Sequence, residues 1–290
     1  MNAAKLQYAG ASPEALEYHY NIGNEFYRLW LDQSLSYTSA LWQDNDTLES
    51  AQRRKVDYHC KQAKVKGAKR VLDVGCGWGG LLKALVEEYN VEHVVGLTLN
   101  QPHIDWVSAF NNPRIEIRLG NWAEHVAEEP YDTVFAWGVL EHAAKLNLSH
   151  AEQVAAYRTF FQLCHQWLKP GGWISLQTIA YGNTRKEDSS QFIETSIFPE
   201  SDLPSLAQLA EASERLFEVK TLRNDREDYE RTCREWLARL QTNRTAAVNL
   251  VGEEVVVRYE KYLKMAIIGF HVGRIGLLRM ALRRLDKPRP

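Results

Sequence analysis

The stretch Val71-Leu72-Asp73-Val74-Gly75-Cys76-Gly77-Trp78-Gly79-Gly80 decides how the rest of the chain is read. A short apolar run ends in closely spaced glycines, and a helical pattern opens directly after them. Gly75 and Gly77 let the backbone turn sharply and approach a ligand with no Cβ in the way. In open α/β sheets, ligands settle at such strand carboxyl ends. Gly75, Gly77 and Gly80 match GxGxxG literally, but a lone match is weak, and a plain tight turn would look the same. A dinucleotide site also wants an acidic residue at the end of the second strand for the ribose. Here that segment reads Gly96-Leu97-Thr98-Leu99-Asn100 and holds no carboxylate.

Working outward, residues 69–181 alternate short apolar runs with amphipathic stretches. The pattern predicts strands over Arg70–Val74, Val94–Leu99, Ile115–Leu119, Thr133–Trp137 and Trp173–Ile179, and helices over Gly80–Tyr89, Pro102–Phe110 and Ala151–Leu168. Strand, helix and strand in series imply parallel strands joined by right-handed crossovers. Pro170-Gly171-Gly172 reads as a turn that stops a helix and feeds the fifth strand. Upstream, residues 1–68 read as helical. Ser12-Pro13-Glu14 pairs a cap with proline at the first helical position, and a second helix starts near Thr47. Downstream come a polar loop over Asn183–Gln191, a helix over Leu203–Leu216 and a strand over Phe217–Leu222. Helical patterns follow over Glu227–Thr242 and about Thr245–Phe270, while Ile275–Leu285 fits helix or strand. The expected whole is one domain over residues 1–290. A doubly wound α/β core spans 69–181, and a helical cap forms from 1–68 and about 182–216.

Composition narrows the function classes. A formal net charge of -2 provides no basic field for nucleic acid. The basic end, Arg283-Arg284 through Lys287 and Arg289, reads as a solvated tail. Cys60, Cys76, Cys164 and Cys233 form no CxxC pair, so neither a zinc site nor a disulfide framework follows, and a reducing cytoplasmic compartment fits. His59, His93, His103 and His125 suit no common metal-ligand set. No apolar run reaches the roughly 18 residues of a membrane span. The nine tryptophans fit either an apolar ligand cavity or a well-filled core.

Asp73, two residues before the first glycine, makes the turn resemble the DxGxG loop of S-adenosylmethionine (SAM) methyltransferases. SAM carries no phosphate, so no Lys or Arg is needed at this turn, and none is present. Flanking segments carry a closer resemblance, to cyclopropane fatty acid synthases and mycolic acid methyltransferases, a group that also includes coclaurine N-methyltransferases. His19-Tyr20-Asn21-Ile22-Gly23-Asn24-Glu25-Phe26-Tyr27 resembles their HYDxGNxFY opening, and Leu35-Ser36-Tyr37-Thr38-Ser39-Ala40 their MTYSCA segment. Gly96-Leu97-Thr98-Leu99, Asn121-Trp122, Glu141-His142, and Ile197-Phe198-Pro199 followed by Leu203-Pro204-Ser205 are similar to further family motifs in register.

The resemblance implies a seven-stranded, mostly parallel sheet whose last strand, Ile275–Arg283, runs antiparallel. It implies that Tyr37, Asp73, Gly75, Gly77, Thr98 and Trp122 contact SAM, with His103 standing where the family has a Gln. It further implies a bicarbonate ion held as general base. Glu141, Ile179 and Tyr229 match three members of the family's cage, whereas Ser39 replaces a Cys and Gln177 a His. Both replacements can donate a hydrogen bond to an anion, but Gln177 cannot become cationic. Larger bacterial synthases carry an additional N-terminal domain, which weighs against a bilayer substrate here.

The methyl on a sulfonium is already activated, so the site must align the nucleophile, the methyl carbon and the sulfur, and exclude water. Attack by an alkene leaves a carbocation, and a base must then remove a proton; an amine loses only its N–H proton. Glu141, just past the fourth strand, is the expected base or charge stabiliser, with a structural loop carboxylate as the alternative. His142 is the second candidate base. Three functions stand open: alkylation of a carbon in an unsaturated acyl or isoprenoid chain, N-methylation of an amine metabolite, and SAM-binding regulation. The first implies a small-molecule partner with an apolar chain.

Overall fold

A computed structural model of the chain describes Gly10 and residues 22–184 and 201–287. The Ser12-Pro13-Glu14 helix start, His19-Tyr20-Asn21, Ile197-Phe198-Pro199, Arg289 and residues 185–191 of the polar loop lie outside the described residues.

The glycine-rich stretch sits at the centre of a seven-stranded sheet. Strand β1 (Arg70–Val74) pairs in parallel with β2 (His93–Thr98) on one side and β4 (Tyr131–Trp137) on the other. With β3 (Ile115–Leu119), β5 (Leu168–Tyr181), β6 (Phe217–Asn224) and β7 (Ile275–Arg284), the order is β3-β2-β1-β4-β5-β7-β6. β7 runs antiparallel between β5 and β6. The strand order reverses beside β1, so the carboxyl ends of β1, β2 and β4 open on one crevice, the usual place for a ligand in such sheets.

Both faces of the sheet are covered, which is why its central strands are apolar on both sides. Helix α1 (Asn24–Arg28) precedes α2 (Leu48–Gln62), α3 (Gly80–Glu87), α4 (Gln101–Ser108) and α5 (His150–Trp167). On one face Val56 and Cys60 of α2 and Leu82 and Leu85 of α3 meet Val71 and Phe135. On the other, Phe160 and Phe161 of α5 meet Leu72, Val134 and Leu176. Capping boxes start α2 at Thr47 and α5 at Ser149, each satisfying backbone N–H groups the helix leaves bare.

Several expectations are corrected. Residues 29–47 are not helical: Asp32 carboxylate oxygens accept from Ser34 N and Ser36 N, both at 2.9 Å, and Leu35 takes φ 52°. That local carboxylate-to-backbone bonding competes with helix and sends Ser36–Thr38 across the strand ends. Pro170-Gly171-Gly172 lies inside β5 rather than in a separate turn. The pair Tyr131↔Leu168 is followed by Thr133↔Trp173, so the extra residues bulge, with Gly171 at φ 71°. The long helical pattern near the C-terminus breaks at Gly252, φ 84°, into α8 (Arg244–Val251) and α9 (Glu253–His271). Arg283 and Arg284 belong to β7 rather than to a solvated tail.

The cap also differs from expectation. Helix α6 (Leu206–Ser213) packs on α5, with Leu209 and Ala212 in the sheet core and Gln208 Nε2 donating to Gln153 Oε1 at 2.6 Å. Among the described residues, the layer over the strand ends comes from α1 and residues 29–47, as expected, joined by α7 (Arg226–Thr242), α8 and α9, while residues 185–200 of the expected cap lie outside the described residues. Phe26, Tyr27, Trp30, Trp236, Tyr259 and Leu263 form its aromatic core. Tyr27 and Tyr259 hydroxyls bond each other at 2.9 Å, and Trp30 meets Trp236 edge-on at 5.8 Å.

Candidate active site

Two cavities meet over the carboxyl ends of the strands. The first, about 190 Å³, is lined by the β1–α3 turn, the end of β2, Trp122, and Ser34–Thr38 of the cap. Asp73, Gly75, Gly77, Thr98, His103, Trp122 and Tyr37 all reach it, so every predicted cofactor residue is brought to one wall. Gly75 and Gly77 adopt φ 73° and 52°, a region where a side chain is strained. A Cβ at Gly77 would meet no protein atom within 4 Å, whereas one at Gly75 would strike Val139 Cγ2 at 2.9 Å. Thr98 Oγ1 and His103 Nδ1 lie 3.0 Å apart, and burial pushes the His103 pKa down to about 4. The neutral ring packs edge-on against Trp78 at 4.6 Å.

Two residues that sequence reasoning missed also line this cavity. Asn100 is buried, and both ends of its carboxamide lack a partner. Lys55, from the middle of α2, donates to Thr38 Oγ1 at 2.9 Å and lies 5.0 Å from the Trp137 ring centre. Burial lowers its pKa to about 7, against the pull of Asp32 and Asp73. The only hint in the sequence was a lysine at a core-facing position of an amphipathic helix. The glycine turn itself holds no cation, as expected, but α2 brings this one to its edge.

The second cavity, about 350 Å³, continues past Tyr37, Thr38, Gly138 and His142, which line both. Its walls are chiefly apolar: Leu146, Ile179, Leu203, Met265, Ala266, Phe270 and Leu277, with Tyr229 and Tyr262. Glu141, His142, Gln177, Ile179 and Tyr229 are brought together here. Glu141 sits in a short 3₁₀ turn, Leu140–His142, just after β4. Its Oε1 accepts from Ile179 N at 2.7 Å and its Oε2 is buried without a partner. Burial raises its pKa to about 7, and the Ile179 N–H only partly offsets that. His142 Nδ1 lies 2.7 Å from Ser201 Oγ, and burial lowers its pKa to about 4. Tyr229, near the start of α7, is stacked on Phe270 at 4.5 Å. Ser39 does not line either cavity. It is fully buried, its Oγ 3.0 Å from Ala40 O and 3.3 Å from Nη2 of the buried Arg279.

The first cavity fits SAM on its own features. It offers a glycine cradle open to a ligand and an unpartnered carboxamide at the end of β2. Among the described residues, no helix is long and apolar enough to cross a membrane.

Comparison with known proteins gives the same answer. The family model for mycolic acid cyclopropane synthetase matches residues 9–280. Cyclopropane mycolic acid synthase 1 of Mycobacterium tuberculosis is 33% identical over 279 residues, covering 89% of this chain and 93% of that protein. The cyclopropane-fatty-acyl-phospholipid synthase of Escherichia coli is 30% identical over 269 residues, covering 92% of this chain and 66% of that protein. The crystal structure of a mycolic acid cyclopropane synthase complexed with SAH and CTAB superposes with a TM-score of 0.84 at 30% identity, covering 95% of this chain and 99% of that one. With this fold, this cofactor cradle and these relatives, the chain is a SAM-dependent methyltransferase and belongs to the mycolic acid cyclopropane synthetase family.

Proposed function

We propose that the chain transfers a methyl or methylene group from SAM to a carbon of an unsaturated acyl or isoprenoid-type chain. The observation that carries this reading is the second cavity: chiefly apolar, joined to the cofactor cavity, with Glu141 as the one carboxyl group among its described lining residues. SAM, when bound, supplies an activated methyl group. Tyr37, Asp73, Gly75, Gly77, Asn100 and Trp122 hold it, with Thr98 and His103 completing the wall. The apolar lining holds the chain and keeps water away. The proton lost by the substrate passes to Glu141 Oε2. A carboxyl with a pKa near 7 can take up and give back a proton at neutral pH, whereas His142, near 4, is the poorer base. The Tyr229 ring borders the same space and offers an aromatic face to positive charge.

The second cavity also suits bicarbonate in part. Glu141, Gln177 and Tyr229 would hold it, with the Ile179 N–H shared with Glu141. Ser39 is set back behind the wall. Bicarbonate, when bound, would supply an additional base beside Glu141.

N-methylation of an amine remains the second reading, because Glu141 and His142 line the same cavity. The test is product analysis with labelled SAM, unsaturated chains and amines, with and without bicarbonate. Gain of one methylene unit on an alkene is the expected result. Turnover of amines alone overturns the proposal.

A further inference from the structure

Gln177 lines the proposed bicarbonate site where the family resemblance implies an imidazole. Behind it, on α2, lies an imidazole that nothing above employs. His59 is buried, its ring 4.6 Å from the Trp137 ring, and its Nδ1 is 2.7 Å from Ser175 Oγ. Ser175 and Gln177 are alternate residues of β5 and so share one face of the sheet. Ser175 is fully buried with His59 Nδ1, on the helix packed over it, as its partner. A buried hydroxyl that left its proton unpaired would lose the full desolvation cost. Ser175 therefore donates to Nδ1, which places the ring proton on Nε2.

That arrangement leaves two unsatisfied atoms side by side. His59 Nε2 is a buried donor without a well-formed hydrogen bond, Gln177 Oε1 is a buried acceptor in the same condition, and the Gln177 side chain is the hydrogen-bonding neighbour of the ring. The Gln177 side chain is the one neighbour that favours the protonated ring, while burial, Arg279, Lys55 and Arg223 all hold the imidazole well below its ordinary pKa. His59 is thus a neutral ring with one N–H to give.

We propose that His59 is a positioning residue: its Nε2–H takes Gln177 Oε1, so the Gln177 carboxamide presents its N–H₂ end to the reaction cavity. A carboxamide can turn either end outward, and the two ends recognise opposite charges. With the donor end outward, the site favours an anion, either the Glu141 carboxylate or bicarbonate, and offers no acceptor there to an ammonium group. The imidazole missing from β5 is replaced by one on α2 that acts through the amide. This inference rests on the anion-holding part of the proposed function.

The test has two arms. Nitrogen NMR of the ligand-free protein labelled at histidine should show His59 neutral with its proton on Nε2; a proton on Nδ1, or on both nitrogens, overturns the inference. In steady-state assays, His59→Phe keeps the ring packing and removes the donor. It should raise the bicarbonate concentration for half-maximal rate about tenfold, the equivalent of roughly 1.4 kcal/mol, with KM for SAM unchanged. Adding Gln177→His to that variant should recover most of the loss. An unchanged bicarbonate requirement in His59→Phe overturns the positioning role. If the wild-type enzyme ignores bicarbonate, that part of the proposed function fails, and the tautomer alone decides for or against His59. The tautomer also decides if His59→Phe does not fold.

Discussion

The Glu141 carboxyl has few hydrogen-bond donors, the Ile179 N–H foremost, to set against the loss of water around it. Burial therefore dominates and its pKa rises from 4.5 to about 7. Glu141→Gln should lower kcat at least about a hundredfold while SAM affinity, by calorimetry, stays the same; full activity would remove Glu141 from the chemistry. The wild-type rate should climb as pH rises through about 7, as the carboxylate forms, and the variant's residual rate should lose that limb. Stability runs the other way. Between pH 4.5 and about 7 the unfolded chain releases this proton while the folded protein keeps it, so stability falls as pH rises through that window. Melting curves should thus find Glu141→Gln more stable than wild type at pH 8, by on the order of 3 kcal/mol, with the advantage gone near pH 4. The position of Glu141 after a strand was legible in the chain. Its pKa was not, because the walls that strip its water come from β5, α7 and α9.

The β1–α3 turn shows what an element contributes. Gly77 and Gly79 both have positive φ, 52° and 74°, so alanine at either is strained by about 1–3 kcal/mol. Their surroundings separate them. A Cβ at Gly79 would come within 2.7 Å of Val107 on α4, whereas at Gly77 it would project into open space at the cofactor wall. Gly79→Ala should therefore lower the melting temperature by several degrees. Gly77→Ala should weaken SAM binding about tenfold with a smaller thermal effect; calorimetry and thermal melts on both variants would expose any reversal of that order. This turn could be read from sequence because its glycines mark local backbone needs. β7 could not be read by pattern, because Leu277–Leu282 is buried on both faces and shows no period, and only the family resemblance pointed to the antiparallel strand that is found there. The break at Gly252 was hidden as well, since apolar residues recur at helical spacing on both sides of it.

At the scale of the whole molecule, the two cavities are distinct but joined, so they should respond separately. Ala266, on α9, lines the second cavity and not the first. Ala266→Phe should fill part of that space and raise KM for long unsaturated chains severalfold, leaving SAM affinity unchanged; equal loss of both would mean the spaces are not independent. Much of the wall that Ala266 shares was misread along the chain. α6 was expected in the cap but packs on α5, and α7 to α9 join the cap, because an amphipathic helix shows that it has an apolar face and not which neighbour will cover it. The chain by itself determined the parallel core, the SAM turn and the carboxylate beyond β4, since each follows from local periodicity, glycine spacing or motif. Only the tertiary structure decided that Lys55 and Asn100 reach the cofactor wall, that Ser39 is buried against Arg279, and that His59 stands beside Gln177. Those relations join side chains from separate helices and strands, and burial, not sequence distance, sets their charge and their partners.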